Sequence, residues 1–570
     1  MKFTHRHSGT SRGASRVLVR STAVIGVLAL GLAACGSDSG SGGNADGPTF
    51  VDYNTLTARP SHIDPALASE VGGGQVAANL YDGLTEYDFS NPDSAVLKPL
   101  VAEKFASNAE ATEWTFTLKP GQVFSNGDPV LPSSFAYAWN RLVNPKLAAA
   151  YSYLLTDVQG YQDVVDGKAD TMSGVVADDT ANTLTVKLTT PNAEFPGVAS
   201  LVPLSPVPEK QVSKLGPIPD TGKWEKGVMI GNGPFVEDGK PDLSKEIVFT
   251  PNKKWAGDIY GDTKPKIGTL VFKVSKSIGP GYSALQAGEA QSSGIPDGKY
   301  AEVQRDWPNT IKDPQLSTYY FDFGMDHPDL GGAKNLKLRQ AVGFAINRDR
   351  INKSVYDDSR IVATGFTPPG VSGYKPDLCK TCSYNPTEAK KLVKEWQAAG
   401  GTLSGPIKVQ FGSGQGHEDL VNFVVDDLKA VGIEAEAQGL NADTYFANIS
   451  HGACELCRTG WGWDYPSFYS GLTIFTAGAI APDDDPTSEG NNPGRFDDPK
   501  YDEMITKAIG TIDDASREQQ FRDAESYLLN DQAAAVPIVF YGGTIAYAKN
   551  VTGLVQNPLS FVAWERVGLK

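Results

Sequence analysis

Histidine and cysteine are scarce in this chain, with six and five among 570 residues. Beyond the N-terminal segment the histidines are His62, His327, His417 and His451, and none is spaced as a metal pair on a helix. His417-Glu418 opens like the zinc motif H-E-x-x-H, but Val421 stands where the second histidine belongs. Beyond the N-terminal segment G-x-S-x-G and G-x-x-x-x-G-K-S/T are also missing, which removes the nucleophile elbow and the phosphate-binding loop. A hydrolase built on two carboxylates leaves no such motif, because acids are too common to search for. No catalytic residue, cofactor or metal is therefore predicted. Positive charge is in deficit: the formal net charge is −16, so a phosphate backbone is repelled and nucleic acid is excluded as a partner. After residue 34 no apolar run is long enough to span a membrane.

The first 34 residues read as a leader. Lys2, Arg6, Arg12, Arg16 and Arg20 form a basic region without an acid, and residues 22–34 are apolar but short for a bilayer. The run ends in Leu32-Ala33-Ala34-Cys35-Gly36, which resembles the bacterial lipobox, where the cysteine is diacylated and becomes the new N-terminus. Residues 35–48 then read as the lipidated Cys35 and a Gly/Ser/Asp-rich tether that lifts a domain off a surface. Loss of the five cations takes the formal charge from −16 to −21. The expected location is the extracytoplasmic face of the cell membrane, held there by lipid.

Four further cysteines form two C-x-x-C pairs, Cys379/Cys382 and Cys454/Cys457. A four-thiolate zinc site and redox chemistry are alternatives, but outside the membrane disulfides are expected. Three pairings are open; the local bridges Cys379–Cys382 and Cys454–Cys457 are favoured. The acidic run Asp483-Asp484-Asp485-Pro486 with Glu489 lacks the alternating spacing of a calcium loop and reads as a solvated loop.

Apolar residues make up 40% and charged ones 21%, the balance of a globular chain, and the length suggests roughly three to four domains. Strand patterns at residues 49–54, 113–118, 183–188 and 407–410 alternate with helical patterns at 75–84, 133–142 and 337–351, which suits α/β lobes. In the last helix Leu338, Ala341, Val342 and Ala345 share a face, and Arg339 is free to reach a carboxylate. Asn385 is a cap candidate before Pro386. The densest aromatic stretch is Gly460-Trp461-Gly462-Trp463-Asp464-Tyr465-Pro466. Its glycines let a backbone approach closely, and its rings and single acid suit an apolar body with a cationic end. A buried aromatic strand with a satisfied acid is the plainer reading of those seven residues.

A series of motifs in fixed order resembles one family. They are DPALAS (64–69), NLYDGL (79–84), LVAEKF (100–105), WTFTLKPGQVFSNGDPV (114–130), GNGPF (231–235) and LQAGEA (285–290). KLRQAVGFAINRDRI (337–351), YNPTEAKKLV (384–393), LKAVGIEAE (428–436), GWDYPS (462–467) and VPIVFY (536–541) complete the order. Together they resemble the oligopeptide/dipeptide class of extracytoplasmic solute-binding proteins of ABC importers. The resemblance implies a two-lobed α/β periplasmic-binding-protein fold with an extra inserted domain and a ligand cleft between the lobes. Lobe I would combine residues 49–87, 206–315 and 536–570; the inserted domain would be 88–205; lobe II would be 316–535.

The same resemblance implies a monomer that captures an oligopeptide and passes it to permease and ATPase subunits. Asp464 is the expected partner of the ligand's α-ammonium, with Gly462 and Trp463 pairing the peptide backbone and Trp461 or Trp463 walling a side chain. If residues 461–464 are extended, the two tryptophans share one face and Asp464 takes the other. Tyr320 sits at an expected ligand-adjacent crossover. Ser317 and Gly462 occupy places where some relatives carry a bridging cysteine pair. Dipeptide-selective members use an arginine in a loop that here holds Ser413, Gln415 and His417 and no arginine. That departure favours longer peptides, or a non-peptide solute such as an oligosaccharide, an opine or a metal chelate. A surface adhesion or signalling module is the reading from another class.

Overall fold

The structure, a computed structural model, describes residues 47–90, 95–296, 298–307, 309–483 and 490–570. The leader, Cys35 and nearly all of the tether, and residues 484–489 of the acidic loop, lie outside the described residues.

One sheet of eleven strands runs through the molecule. From one edge its order is Ala435–Leu440, Ile407–Gly412, Leu456–Gly462, Thr310–Phe323, Ala535–Tyr547, Ser292–Gly294, Thr49–Asp52, Thr269–Lys273, Glu246–Pro251 and Phe235–Glu237. Ile361–Val362 pairs with Ala535–Tyr547 off this path. The sheet is shared by separate cores. The first gathers Phe50, Leu80, Leu270 and Phe272 with Trp564, whose ring lies 5.1 Å from Phe50 and 5.3 Å from Phe272. Two more large cores hold Leu338, Val342, Val409 and Ile538, and Phe366, Trp463, Phe475 and Phe521. Each such side chain contributes about 1.5–3 kcal/mol on burial.

Two long strands connect these cores. Thr310–Phe323 and Ala535–Tyr547 run antiparallel, with Ile311 and Tyr547 against the first core and Tyr319, Phe321, Val536 and Ile538 inside the second. Their register slips between Pro314 and Thr318, a bulge midway between the cores. The fold is thus two-lobed and α/β.

The segment between Val96 and Ser205 carries a four-stranded sheet, ordered Ala102–Ser107, Glu113–Leu118, Thr183–Lys187 and Val175–Asp178, under the helix Pro132–Val143. Phe116, Trp139 and Leu184 belong to the same hydrophobic cluster as Phe50. A buried bidentate pair ties that helix to the first lobe: Arg141 Nη1 donates to Asp64 Oδ1 at 3.0 Å and Nη2 donates to Oδ2.

Local chemistry explains where the elements stop. The helix expected over 75–84 is Val71–Leu80. It ends early because Tyr81 is extended and the amide of Gly233 takes the Leu80 carbonyl at 2.8 Å. The amphipathic run 337–351 is two helices, Leu336–Ala345 and Arg348–Tyr356, since Asn347 caps the second by accepting from the Arg350 amide at 3.0 Å. Leu338, Ala341, Val342 and Ala345 do share the buried face. Among the described residues Arg339 reaches no carboxylate; it donates to the carbonyls of Leu330, Gly332 and Gln532. Asn385 caps its helix by accepting from the Glu388 amide at 3.0 Å. Among the open cysteine pairings the two local ones are present, Cys379–Cys382 and Cys454–Cys457, each with Cα atoms 5.3 Å apart.

Candidate functional site

Four parts of the chain meet around Asp464. The strand Leu456–Gly462 brings the acid to the edge of a cavity of about 230 Å³. Gly462, Trp463 and Asp464 line one wall, the loop Ser69-Glu70-Val71 another, and Tyr151 and Leu154 of the inserted segment a third. Leu559 and Phe561 close it from the C-terminal segment.

The loop is placed by Asp64 and Glu225. Asp64 Oδ1 accepts from the Ala66 amide at 3.0 Å, and Glu225 accepts from the amides of Ile63 and Asp64 at 2.9 and 3.1 Å. The short helix Ala150–Leu155 touches both sides of the cleft. Tyr151 donates its hydroxyl to the Ser69 carbonyl at 3.4 Å, and Tyr153 donates to Asp464 Oδ2 at 2.9 Å.

Asp464 is half-buried, and burial raises its pKa above the usual carboxylate range, partly offset by the Tyr153 hydroxyl. Its amide donates to Ser470 Oγ at 3.0 Å. Among the described residues no cation pairs with it, so its negative charge is left for something that enters the cavity.

The turn after Asp464 is fixed by the inserted segment. Tyr465 is buried in the first core. Ser467 donates to Glu194, which also accepts from Arg517 Nε at 3.2 Å, a pair with both side chains largely buried. The Ala193 amide donates to the Ile509 carbonyl at 2.8 Å.

Trp461 and Trp463 face away from Asp464, as alternation requires. Trp463 is 5% exposed, with its ring 5.3 Å from Phe366, and Gly471 is small because a Cβ there would lie 2.1 Å from the Trp463 ring. Trp461 donates its indole N–H to the Ser470 carbonyl at 2.8 Å. Trp463 still forms part of the cavity wall, while Trp461 packs against the core. Tyr320 is in that core, 4.9 Å from Phe366, and does not line the cavity. Ser317 and Gly462 are direct partners across the two strands.

Ser413 and Gln415 are exposed on their loop and are not brought to Asp464. His417 is half-buried against Tyr319, its Nδ1 3.4 Å from the tyrosine hydroxyl, and burial followed by the Arg458 charge lowers its pKa to about 4. It is therefore neutral at ordinary pH.

Arg458 is the residue that sequence reading passed over. The loop 411–418 holds no arginine, whereas Arg458 stands on the strand that pairs with Ile407–Gly412. Arg458, Gly460 and Gly462 share a face by period-two alternation, a signal present in the sequence. The Arg458 guanidinium lies 4.8 Å over the Tyr319 ring and donates to the Tyr541 hydroxyl at 3.1 Å. Its buried Nε has no partner among the described residues. The strand between these two charges is paired on one side only. Residues Arg458 to Gly462 pair with Phe321 to Ser317, while on the other side the ladder to Ile407–Gly412 stops at Cys457.

The comparisons agree with this architecture. Residues 96–483 match the family described as bacterial extracellular solute-binding proteins, family 5 Middle. The chain is 26% identical over 518 residues to the periplasmic murein peptide-binding protein MppA of Escherichia coli (strain K12), spanning 89% of this chain and 90% of that one. It is 23% identical over 554 residues to the oligopeptide-binding protein OppA of Bacillus subtilis (strain 168), spanning 93% and 95%. The solved unliganded open form of the MppA periplasmic murein tripeptide binding protein has a similar fold, with a TM-score of 0.78 at 24% identity over 92% of this chain and 98% of that one. The chain belongs to the bacterial extracellular solute-binding proteins of family 5, which are binding proteins of transport systems and not enzymes.

Proposed function

We propose that this protein captures short peptides between its lobes and delivers them to an ABC permease, whose own subunits hydrolyse ATP. The observation that carries the reading is the one-sided strand running from Arg458 to Asp464, a cation and an acid that are in no ion pair among the described residues. A peptide is the ligand that matches all of it. Its backbone adds to the open edge, its ammonium meets Asp464 and its carboxylate meets Arg458. The names of the relatives, a murein peptide binder and an oligopeptide binder, support the same ligand class. Arg458 and Asp464 are six positions apart, an extended span of at most about 20 Å, so ligands of roughly three to six residues fit. The lobes divide near residues 315 and 541, where the register of the two long strands slips. Lipid on Cys35 holds the mature protein at the outer face of the membrane.

Native mass spectrometry of the mature protein as purified, with mild release of bound molecules, tests this directly. A ladder of short peptides is the expected result. A single homogeneous non-peptide mass would overturn the peptide ligand.

A further inference from the structure

Behind the cleft lies a second chamber of about 150 Å³. It shares Leu201, Val202, Leu559 and Phe561 with the cavity at Asp464 as lining residues. Its walls include the rings of Tyr87, Phe89 and Trp255, and four acids border it: Asp82, Glu86, Asp258 and Glu565.

These acids are not used up by the fold. Nearby Asp88 and Asp262 are paired with Lys98 and Lys266. Among the described residues, none of the four chamber acids is in an ion pair; Lys119 and Arg566 act on them only from a distance. Asp82 accepts from Trp255 Nε1 at 2.8 Å. Asp258 is 9% exposed; its Oδ1 accepts from the amides of Tyr260 and Asp262, while its buried Oδ2 has no partner among the described residues. A buried carboxylate oxygen left unpaired in a ring of acids points to a missing cation. Asn79 Nδ2, also buried and unpartnered there, is a donor and takes no part in holding one. Burial pushes Asp82 up to about 8 and Glu565 up to about 7, with neighbouring acids adding to the effect.

We propose that the chamber receives the cationic side chain of one ligand residue, lysine or arginine, whose backbone lies in the cleft. The inference rests on the peptide reading and deepens it into a preference for basic peptides. The aromatic walls suit the aliphatic stem, and the acids suit the ammonium or guanidinium head.

The experiment is calorimetry on the mature full chain with alanine tetrapeptides carrying lysine, norleucine or glutamate at each position in turn. At one position lysine is expected to bind about tenfold or more tighter than norleucine, and glutamate weaker than both. Glu86→Gln and Glu565→Gln, each at a half-exposed site, should each cut the lysine advantage severalfold and change the norleucine peptide far less. Two independent variants guard against one that fails to fold. Equal binding of lysine and norleucine at every position, with tetrapeptides still bound, overturns the chamber and leaves the peptide reading standing. Failure of every tetrapeptide to bind overturns both.

Discussion

The two charged groups proposed to hold the ligand's ends are built differently. Arg458 stands on a regular strand, and the groups around it, Tyr319 and Tyr541, stand on the next two strands of the same sheet. Asp464 stands just past a strand end, and its surroundings come from three distant parts of the chain, through Tyr153, Glu194 and the loop at Glu70. One end is positioned by a hydrogen-bonded ladder, the other by tertiary convergence. A site on strands holds its geometry whether or not the lobes are closed, whereas a site assembled from both lobes is complete only when they meet. The carboxylate end is therefore expected to be preformed and the amine end to be made by closure.

That contrast is open to test. Asp464→Asn should weaken free-amine peptides by about 30-fold or more, because a charge-assisted contact in a half-buried site is worth roughly 2–5 kcal/mol. N-acetylated peptides should lose little, and calorimetry on the matched pair is the check; equal loss for both removes the amine role. The same acid sets a pH limb. Its raised pKa means that it takes up a proton as pH falls, starting above the usual carboxylate range. Affinity for amine ligands should decline with falling pH over that window, and Asp464→Asn should flatten the decline. Arg458→Met should cost roughly 10- to 100-fold for peptides with a free carboxylate, from the loss of hydrogen bonds to a charge, and little for C-terminal amides.

Glu194→Ala separates the two ends. It leaves Arg517 largely buried without its main acid, which should lower stability by about 3–5 kcal/mol in denaturant melts. Affinity should fall only severalfold, and the fall should blunt discrimination between amine and acetylated ligands while sparing that between acid and amide ligands. The opposite pattern would reverse the assignment of which end depends on closure. The smallest effect is expected from Tyr153→Phe. Losing one hydrogen bond of about 1 kcal/mol should change affinity by a few fold at most, and the midpoint of the Asp464 pH limb should move up.

Sequence patterns were most informative where local chemistry decides the outcome. Period two placed both tryptophans opposite Asp464, and an Asn-Pro pair marked a capped helix start. They failed where distant groups decide. Tyr81 has no intrinsic reason to leave a helix; the close approach of Gly231 and Gly233 to the Leu80 carbonyl makes it do so. Tyr153 sits in a stretch with no motif, more than 300 residues from the acid it bonds, and nothing local marks it. Tyr320 looked available because of its place beside the crossover, yet its ring points to the core side of the strand. Arg458 was legible in principle, since its alternation with Gly460 and Gly462 is visible in the sequence.

The bulged pair of long strands has a mechanical consequence. Thr310–Phe323 and Ala535–Tyr547 are antiparallel neighbours, so both passages between the cores run through one narrow ribbon of 14 and 13 residues. A two-stranded ribbon resists stretching along its length but yields readily in twist. Closure in such a molecule is a torsion spread over many residues, with the slip between Pro314 and Thr318 as its softest point. The spring constant of that torsion, rather than any single contact in the cleft, would then set how much ligand energy is spent on shutting it.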